Sequence, residues 1–256
     1  MSTPDSETLK AAVRETYSQI ALGKTAGCCS DIGCCGPTLG PRPEAIGYSN
    51  EDRQNVPEGA DLGLGCGNPQ AIAELRDGER VLDLGSGAGF DAFLAARQVG
   101  PNGVVIGVDM TVEMVAKARA NLRKTEIENV SFRLGEIEHL PVADASVDVI
   151  MSNCVINLST DKPSVFREAF RVLTPGGRLA MADIVAVADL PSSVRQDVAA
   201  YAGCVAGAAL VSDVVRMLND AGFEGVTVAV RPEPRAALVT SALIRAKKPF
   251  ADPSRG

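Results

Sequence analysis

The chain has 256 residues, a net charge of −7 and 46% hydrophobic residues, enough for one α/β domain with an added segment and too few for two full domains. Its acidity, with an isoelectric point near 4.9, excludes a general electrostatic grip on nucleic acid, and no Trp with only three Tyr leaves few platforms for stacking bases. The sequence holds no run of about 18 apolar residues that would span a membrane, and its single histidine, His139, argues against His-dependent hydrolases and multi-histidine metal centres.

The N-terminus, Met1 to Glu7, lacks a basic stretch followed by an apolar one, so a cytoplasmic location with reduced thiols is expected. Leu9, Val13, Tyr17, Ile20 and Ala21 recur at helical spacing within Asp5 to Leu22 and predict one amphipathic helix ending near Gly23. From Gly27 to Pro69 the chain is rich in Gly, Pro and Cys. An irregular connection of that length is ordinarily functional or disordered, and its cysteines favour function.

The most specific short pattern follows. Arg80-Val-Leu-Asp-Leu84 is an apolar run suited to a buried parallel strand, Gly85-Ser-Gly-Ala-Gly89 a tight turn, and Asp91 to Val99 a helical segment. The glycines allow positive φ and close approach of a ligand to the backbone, and the helix N-terminus offers free amide hydrogens. A second strand, Val104 to Val108, ends in Asp109, twenty residues past Gly89, where a carboxylate can accept hydrogen bonds from ribose hydroxyls. A dinucleotide-binding site spaces its glycines as G-x-G-x-x-G, whereas this chain has G-x-G-x-G with Asp83 two residues ahead. Asp83 is placed to organise the loop or to face a cationic amino group.

Further along, Thr111 to Thr125 predicts a helix capped by Thr111, with Met114, Val115, Ala118 and Leu122 on one face, and Val130 to Leu134 a third strand. Gly135-Glu-Ile-Glu138 then falls at the carboxyl ends of the strands, where ligands bind in such sheets, and one of its carboxylates is a candidate to hold an adenine amino group. His139 is expected to be structural or superficial, and Asp144 and Asp148 to be solvated turn residues. Val147 to Ser152 predicts a fourth strand, running into Asn153-Cys154, with Asn153 and Asn157 placed to orient a site. Helix Ser164 to Val172, the turn Thr174-Pro-Gly-Gly177 and a fifth strand, Arg178 to Ile184, come next. Ala186 to Val211 breaks the strand–helix alternation and is read as a lid. Helix Ser212 to Ala221 and strands Gly225 to Val230 and Ala236 to Arg245 close the sheet with an antiparallel hairpin.

Seven cysteines need explaining. Cys28, Cys29, Cys34 and Cys35 form two adjacent pairs, Cys66 precedes the core, Cys154 ends the fourth strand and Cys204 lies in the lid. Convergence of the last three at the mouth of the ligand pocket is expected, although a buried free cysteine also serves as a small hydrophobe. A structural zinc on the early pairs is the alternative, but C-C-x4-C-C matches poorly the C-x2-4-C pairs that zinc sites use. A disulfide framework is disfavoured by the compartment, a transient catalytic disulfide is not.

Val81-Leu-Asp-Leu-Gly-Ser-Gly-Ala-Gly89, Asp109 and the Pro-Gly-Gly turn resemble the class I S-adenosylmethionine-dependent methyltransferases. Gly63-Leu-Gly-Cys-Gly-Asn-Pro69, Ser152-Asn-Cys-Val-Ile-Asn157 and Tyr201-Ala-Gly-Cys-Val-Ala-Gly-Ala208 resemble the arsenite methyltransferases within them, from about residue 10 to 245. The resemblance implies a Rossmann-like α/β fold with a mostly parallel seven-stranded sheet and an antiparallel last hairpin. It divides the chain into an N-terminal helix and Cys-rich substrate segment (1–70), a methyltransferase domain (71–250) with its lid near 186–211, and a tail (251–256). It implies S-adenosylmethionine as cofactor, contacted by residues among Asp83, Gly85, Ser86, Gly87, Gly89, Asp109, Met110, Gly135, Glu136, Ile137 and Asn153. Trivalent arsenic is then held by Cys66, Cys154 and Cys204. Cys28, Cys29, Cys34 and Cys35 become candidates for delivering arsenic or relaying disulfides to a reductant such as thioredoxin or glutathione; their doubling leaves open which of them takes that role. The expected protein is a monomer without nucleic-acid or membrane partner. A methyltransferase for a small organic substrate, such as a quinone or sterol precursor, is the main alternative, and a thiol-based arsenic or metal sequestering protein the lesser one.

Overall fold

The computed structural model describes residues 5–25, 46–231 and 238–250. Helix α1 (Ser6–Ala21) starts where the Asp5 carboxylate accepts the Thr8 amide, and it buries Val13, Ile20 and Ala21, the face the spacing predicted. The described part of the Gly/Pro-rich segment is not wholly irregular. It contains α2 (Asn50–Gln54), set by a Ser49/Asp52 capping box, and α3 (Gln70–Ala73). The alternation then runs β1 (Arg80–Leu84), α4 (Phe90–Gln98), β2 (Val104–Asp109), α5 (Val112–Leu122), β3 (Val130–Leu134), β4 (Val147–Asn153), α6 (Lys162–Val172), β5 (Leu173–Ala186), α7 (Ser192–Arg195), α8 (Val198–Ala202), α9 (Val211–Asp220), β6 (Glu224–Val230) and β7 (Val239–Lys247).

Seven strands form one sheet in the order β3-β2-β1-β4-β5-β7-β6. β1 pairs in parallel with β2 and β4, and β7 pairs antiparallel with both β5 and β6, so β7 alone runs against the others. The strand period of two divides the core between the sheet's faces. Leu82, Leu84 and Ile150 pack with Val165 and Phe166 of α6 and Leu218 of α9, while Val81, Val105, Val149 and Met151 pack with Phe93 of α4 and Val115 of α5. Each such fully buried aliphatic side chain contributes about 2 kcal/mol by area burial. The order changes direction between β1 and β4, and the crevice above that point is where a ligand enters such a sheet.

Three local expectations are corrected. Thr111 begins α5 but makes no side-chain cap; its amide donates to Asp109 instead. The Thr174-Pro-Gly-Gly177 turn lies inside β5, which starts at Leu173 opposite Val147 and resumes pairing at Arg178 opposite Val149, so the extra residues form a bulge. Asp148 is no solvated turn residue: within β4 its carboxylate accepts the Arg80 guanidinium at 3.0 and 2.8 Å and the Thr174 hydroxyl at 3.1 Å. Asp144 is exposed and pairs with Arg171, and His139 is exposed, as expected.

Candidate active site

A cleft of about 1440 Å³, open to solvent, lies over the carboxyl ends of β1, β2 and β4. Its floor is the glycine turn. Gly85 takes φ +67°, and a Cβ there would stand 2.4 Å from Val155 Cγ2. Gly87 takes φ +51°, where only Met114 Sδ comes near, at 4.0 Å. The Asp109 carboxylate accepts the Gly87 amide at 2.9 Å and the Thr111 amide at 2.8 Å, fixing the turn against the end of β2. Burial raises its pKa, against these bonds.

Asp83 is 2% exposed. Burial first, then the charges of Asp91 and Asp109, push its carboxyl well above the ordinary carboxylate range. Among the described residues its Oδ2 and the Ser86 Oγ are buried without a hydrogen-bond partner, and both residues line the cleft. Buried polar atoms are nearly always satisfied; here two acceptors face a cavity in which a ligand carrying a cationic amino group fits. Met110 and Ile137 also line the cleft.

Gly89, Gly135 and Glu136 do not line it. Gly89 is needed for packing, since a Cβ there would lie 2.7 Å from Phe132 Cζ, and Gly135 for passage past Pro141, whose Cδ would lie 2.7 Å away. Glu136 turns outward to Lys10 and Arg14 of α1, and Glu138 is buried on the Ser159 hydroxyl at 2.6 Å. Of the two carboxylates expected beside an adenine, Glu136 is thus engaged away from the cleft, whereas Glu138 lines it. Asn153 reaches the cleft, but its carboxamide serves the protein: Nδ2 donates to Tyr48 Oη, Gly67 O and Asp91 Oδ2, and Oδ1 accepts the Cys66 amide at 3.1 Å.

The same cleft is also lined by Cys66, Cys154 and Cys204, none of them in a disulfide. The Cys204 thiol donates to the Cys154 carbonyl at 3.1 Å, and the Cys66 thiol donates to Ala182 O at 3.5 Å. Cys66 Sγ, Cys154 Sγ and an Asp183 carboxylate oxygen lie within 4.8 Å of one another. A bond with Cys204 favours the Cys154 thiolate, but a bond with Cys66, burial and the neighbouring charges of Cys66 and Asp183 together push that thiol well above its ordinary pKa. Cys28, Cys29, Cys34 and Cys35 lie outside the described residues.

Three contributors were missed in the sequence. Asp183, on β5, is 3% exposed and accepts the Ile156 amide and the Asn157 side chain, so it holds the 3-10 turn behind Cys154; burial raises its pKa to about 6. One acid inside the apolar run Leu-Ala-Met-Ala-Asp-Ile-Val was the signal. Asp91, likewise an acid in an apolar helix face, accepts Tyr48 Oη–H at 2.6 Å. α1 forms a wall through Lys10, Val13 and Tyr17 and packs against α8 of the lid; its amphipathic pattern announced a helix but not which surface it covers.

A methyltransferase domain profile matches residues 75–222. The chain is 50% identical to an arsenite methyltransferase of Halobacterium salinarum over 97% of this chain and 68% of that protein. It is 36% identical to the arsenite methyltransferase of Homo sapiens over 74% of this chain and 52% of that one. The crystal structure of an arsenic(III) S-adenosylmethionine methyltransferase from Chlamydomonas reinhardtii superposes with a TM-score of 0.64 at 34% identity, covering 85% of this chain and 75% of that one. The chain thus spans about two thirds of the Halobacterium relative and about half of the human one. With its glycine turn, its Asp109 and its three convergent thiols, the chain belongs to the arsenite methyltransferase family.

Proposed function

We propose that the protein methylates trivalent arsenic with S-adenosylmethionine, and the observation that carries the proposal is one cleft lined by both the glycine turn with Asp83 and Asp109 and the three thiols Cys66, Cys154 and Cys204. Asp83, Ser86, the Gly85–Gly87 backbone, Asp109, Met110 and Ile137 hold the cofactor. Bound there, S-adenosylmethionine supplies an electrophilic sulfonium methyl group.

The thiols hold the substrate, since soft thiolates match soft arsenic. Each As–S bond formed from arsenous acid releases water, the thiol proton leaving with the hydroxide. Trivalent arsenic so held keeps a lone pair and has no proton to lose as it attacks carbon, so no general base is required. The only histidine of the chain, exposed and outside the cleft, is consistent with that. What the site must supply is alignment, which is worth several kcal/mol of a barrier.

Methylation raises arsenic formally from the trivalent to the pentavalent state, and two thiols closing to a disulfide return two electrons. We assign that relay to the Cys28/Cys29 and Cys34/Cys35 pairs of the 1–70 segment, with an external dithiol or glutathione system reopening the disulfide. Arsenic ligation by thiols suits a reducing, cytoplasmic compartment, and among the described residues no helix is long and apolar enough to cross a membrane.

The test is incubation of the reduced protein with arsenite, S-adenosylmethionine and a thiol reductant, with arsenic species separated and identified by mass. Methylated arsenic is expected. Its absence despite cofactor binding overturns the proposal in favour of an organic substrate.

A further inference from the structure

Cys66 lies in a loop, not on a strand or helix, yet its backbone is pinned from two sides. Its amide donates to Asn153 Oδ1 at 3.1 Å, and its carbonyl accepts the Ser241 hydroxyl at 2.6 Å. Asn153 Nδ2 also donates to the Gly67 carbonyl at 2.9 Å, so a single carboxamide brackets the cysteine on both sides. Gly65 makes the fit possible: at φ +122°, a Cβ there would stand 2.9 Å from Asn153 Nδ2. Behind Asn153, Tyr48 Oη and Asp91 Oδ2 receive the same amide group at 3.0 and 3.2 Å, and Tyr48 and Asp91 are both buried. The carboxamide cannot rotate without breaking these bonds.

We propose that Asn153, assisted by Ser241, is the positioning residue that presents the Cys66 thiol as the third arsenic ligand and thereby sets the preference of the site for unmethylated arsenite. This rests on the arsenic-binding reading above. The chemistry follows from valence. Arsenous acid has three hydroxyls to exchange for thiols, whereas methylarsonous acid has two. With Cys66 released, Cys154 and Cys204, whose thiol reaches the Cys154 carbonyl at 3.1 Å, still leave two thiols for the second compound, whereas the first needs all three. Cys154 depends on β4 and Asp183, and Cys204 on the lid, so releasing the 63–67 loop affects Cys66 first.

The experiment compares the affinities of the reduced full chain for arsenite and for methylarsonous acid, without cofactor, in the unaltered protein and in Asn153→Ala, Ser241→Ala and Cys66→Ser, with As–S coordination number read by X-ray absorption. Loss of an outer partner of a ligand ordinarily weakens metal binding about 10- to 100-fold. The arsenite-to-methylarsonous affinity ratio should therefore fall about tenfold in Asn153→Ala, less in Ser241→Ala, with coordination dropping from three sulfurs toward two. Cys66→Ser gives the full size of the effect. If the ratio is unchanged in both Asn153→Ala and Ser241→Ala while Cys66→Ser lowers it, Asn153 has no positioning role and the proposal fails. If Cys66→Ser leaves the ratio unchanged, or the unaltered protein binds neither compound, the arsenic-site reading itself fails. Should Asn153→Ala not fold, Ser241→Ala decides the matter by the same ratio.

Discussion

Cys154 and Cys204 both sit in the left-handed backbone region, at φ 58° and 64°, and the Cys204 thiol donates to the Cys154 carbonyl at 3.1 Å. Only two other non-glycine residues among those described share that region, Glu74 and Ala145. Such a conformation costs on the order of 1 kcal/mol and persists where its surroundings enforce it. Here the Cys154 amide is bound to Ala182 O and the Cys204 amide to Tyr201 O. Serine keeps the backbone shape but replaces a soft ligand by a hard one, so Cys154→Ser and Cys204→Ser should each lower arsenic methylation by about a hundredfold or more. Calorimetric titration of the cofactor separates this from misfolding. A serine variant that binds cofactor and still methylates arsenic at half the original rate would remove that thiol from the site.

The sequence carried the sheet because its strands are short apolar runs with the glycine turn placed between the first strand and its helix. It carried the thiol cluster because Cys66 precedes the core, Cys154 ends a strand and Cys204 lies in the lid. It did not carry Asn153's role: a carboxamide's partners are set by the angle at which the 63–67 loop crosses β4, a tertiary outcome with no local signature. Glu136 was read toward the ligand for the same reason. Position at the carboxyl end of β3 was legible, but the side chain turns to α1, a helix more than a hundred residues away in the chain. Tyr48, in an irregular segment, offered no pattern at all.

Two neighbouring glycines should fail differently. A methyl at residue 85 would meet Val155 Cγ2 at 2.4 Å, whereas at residue 87 it would meet only Met114 Sδ at 4.0 Å. Both residues have positive φ. Gly85→Ala therefore adds overpacking to backbone strain and should lose about 2–4 kcal/mol of unfolding free energy. Gly87→Ala should lose about 1 kcal/mol and show its main defect in cofactor affinity, because the added methyl stands on the cleft floor. Urea unfolding and cofactor titration of both variants check this, and equal stability losses would contradict it.

The lid is seated by Gly207. A Cβ there would lie 2.0 Å from Asn157 O and 3.2 Å from Tyr201 Cε2, and the Asn157 turn cannot retreat because Asp183 holds it through Ile156 N and Asn157 Nδ2. In Gly207→Ala the lid must move instead, taking with it Cys204 three residues earlier. Stability should fall by about 1–3 kcal/mol, and arsenite affinity should fall while cofactor affinity, which rests on the glycine turn, changes less. An arsenite dissociation constant within twofold of the original would show that the lid does not place Cys204.

α1 is latched over the cleft by charge. Lys10 Nζ lies 2.8 Å from Glu136 Oε2 and 3.8 Å from Glu138 Oε1, and Arg14 pairs with Glu136. The hydrogen bond from Lys10, opposed by burial and joined by the Lys10 and Arg14 charges, holds the Glu136 carboxyl below its ordinary value of 4.5. A depressed carboxyl stabilises the fold fully above the unfolded value, and that contribution disappears as pH falls from about 4.5 through the lower folded value. Because Glu136 is partly exposed, solvent screening limits the latch to about 0.5–1 kcal/mol. Glu136→Gln should remove this part of the acid limb of the stability curve while leaving the curve above pH 6 parallel to the original. At neutral pH the same variant should speed hydrogen exchange of the α1 amides several-fold, and high salt should do likewise to the unaltered protein by screening the pair. Identical α1 exchange in the two proteins at low salt would mean that the apolar face of Val13, Ile20 and Ala21 holds the helix without the latch.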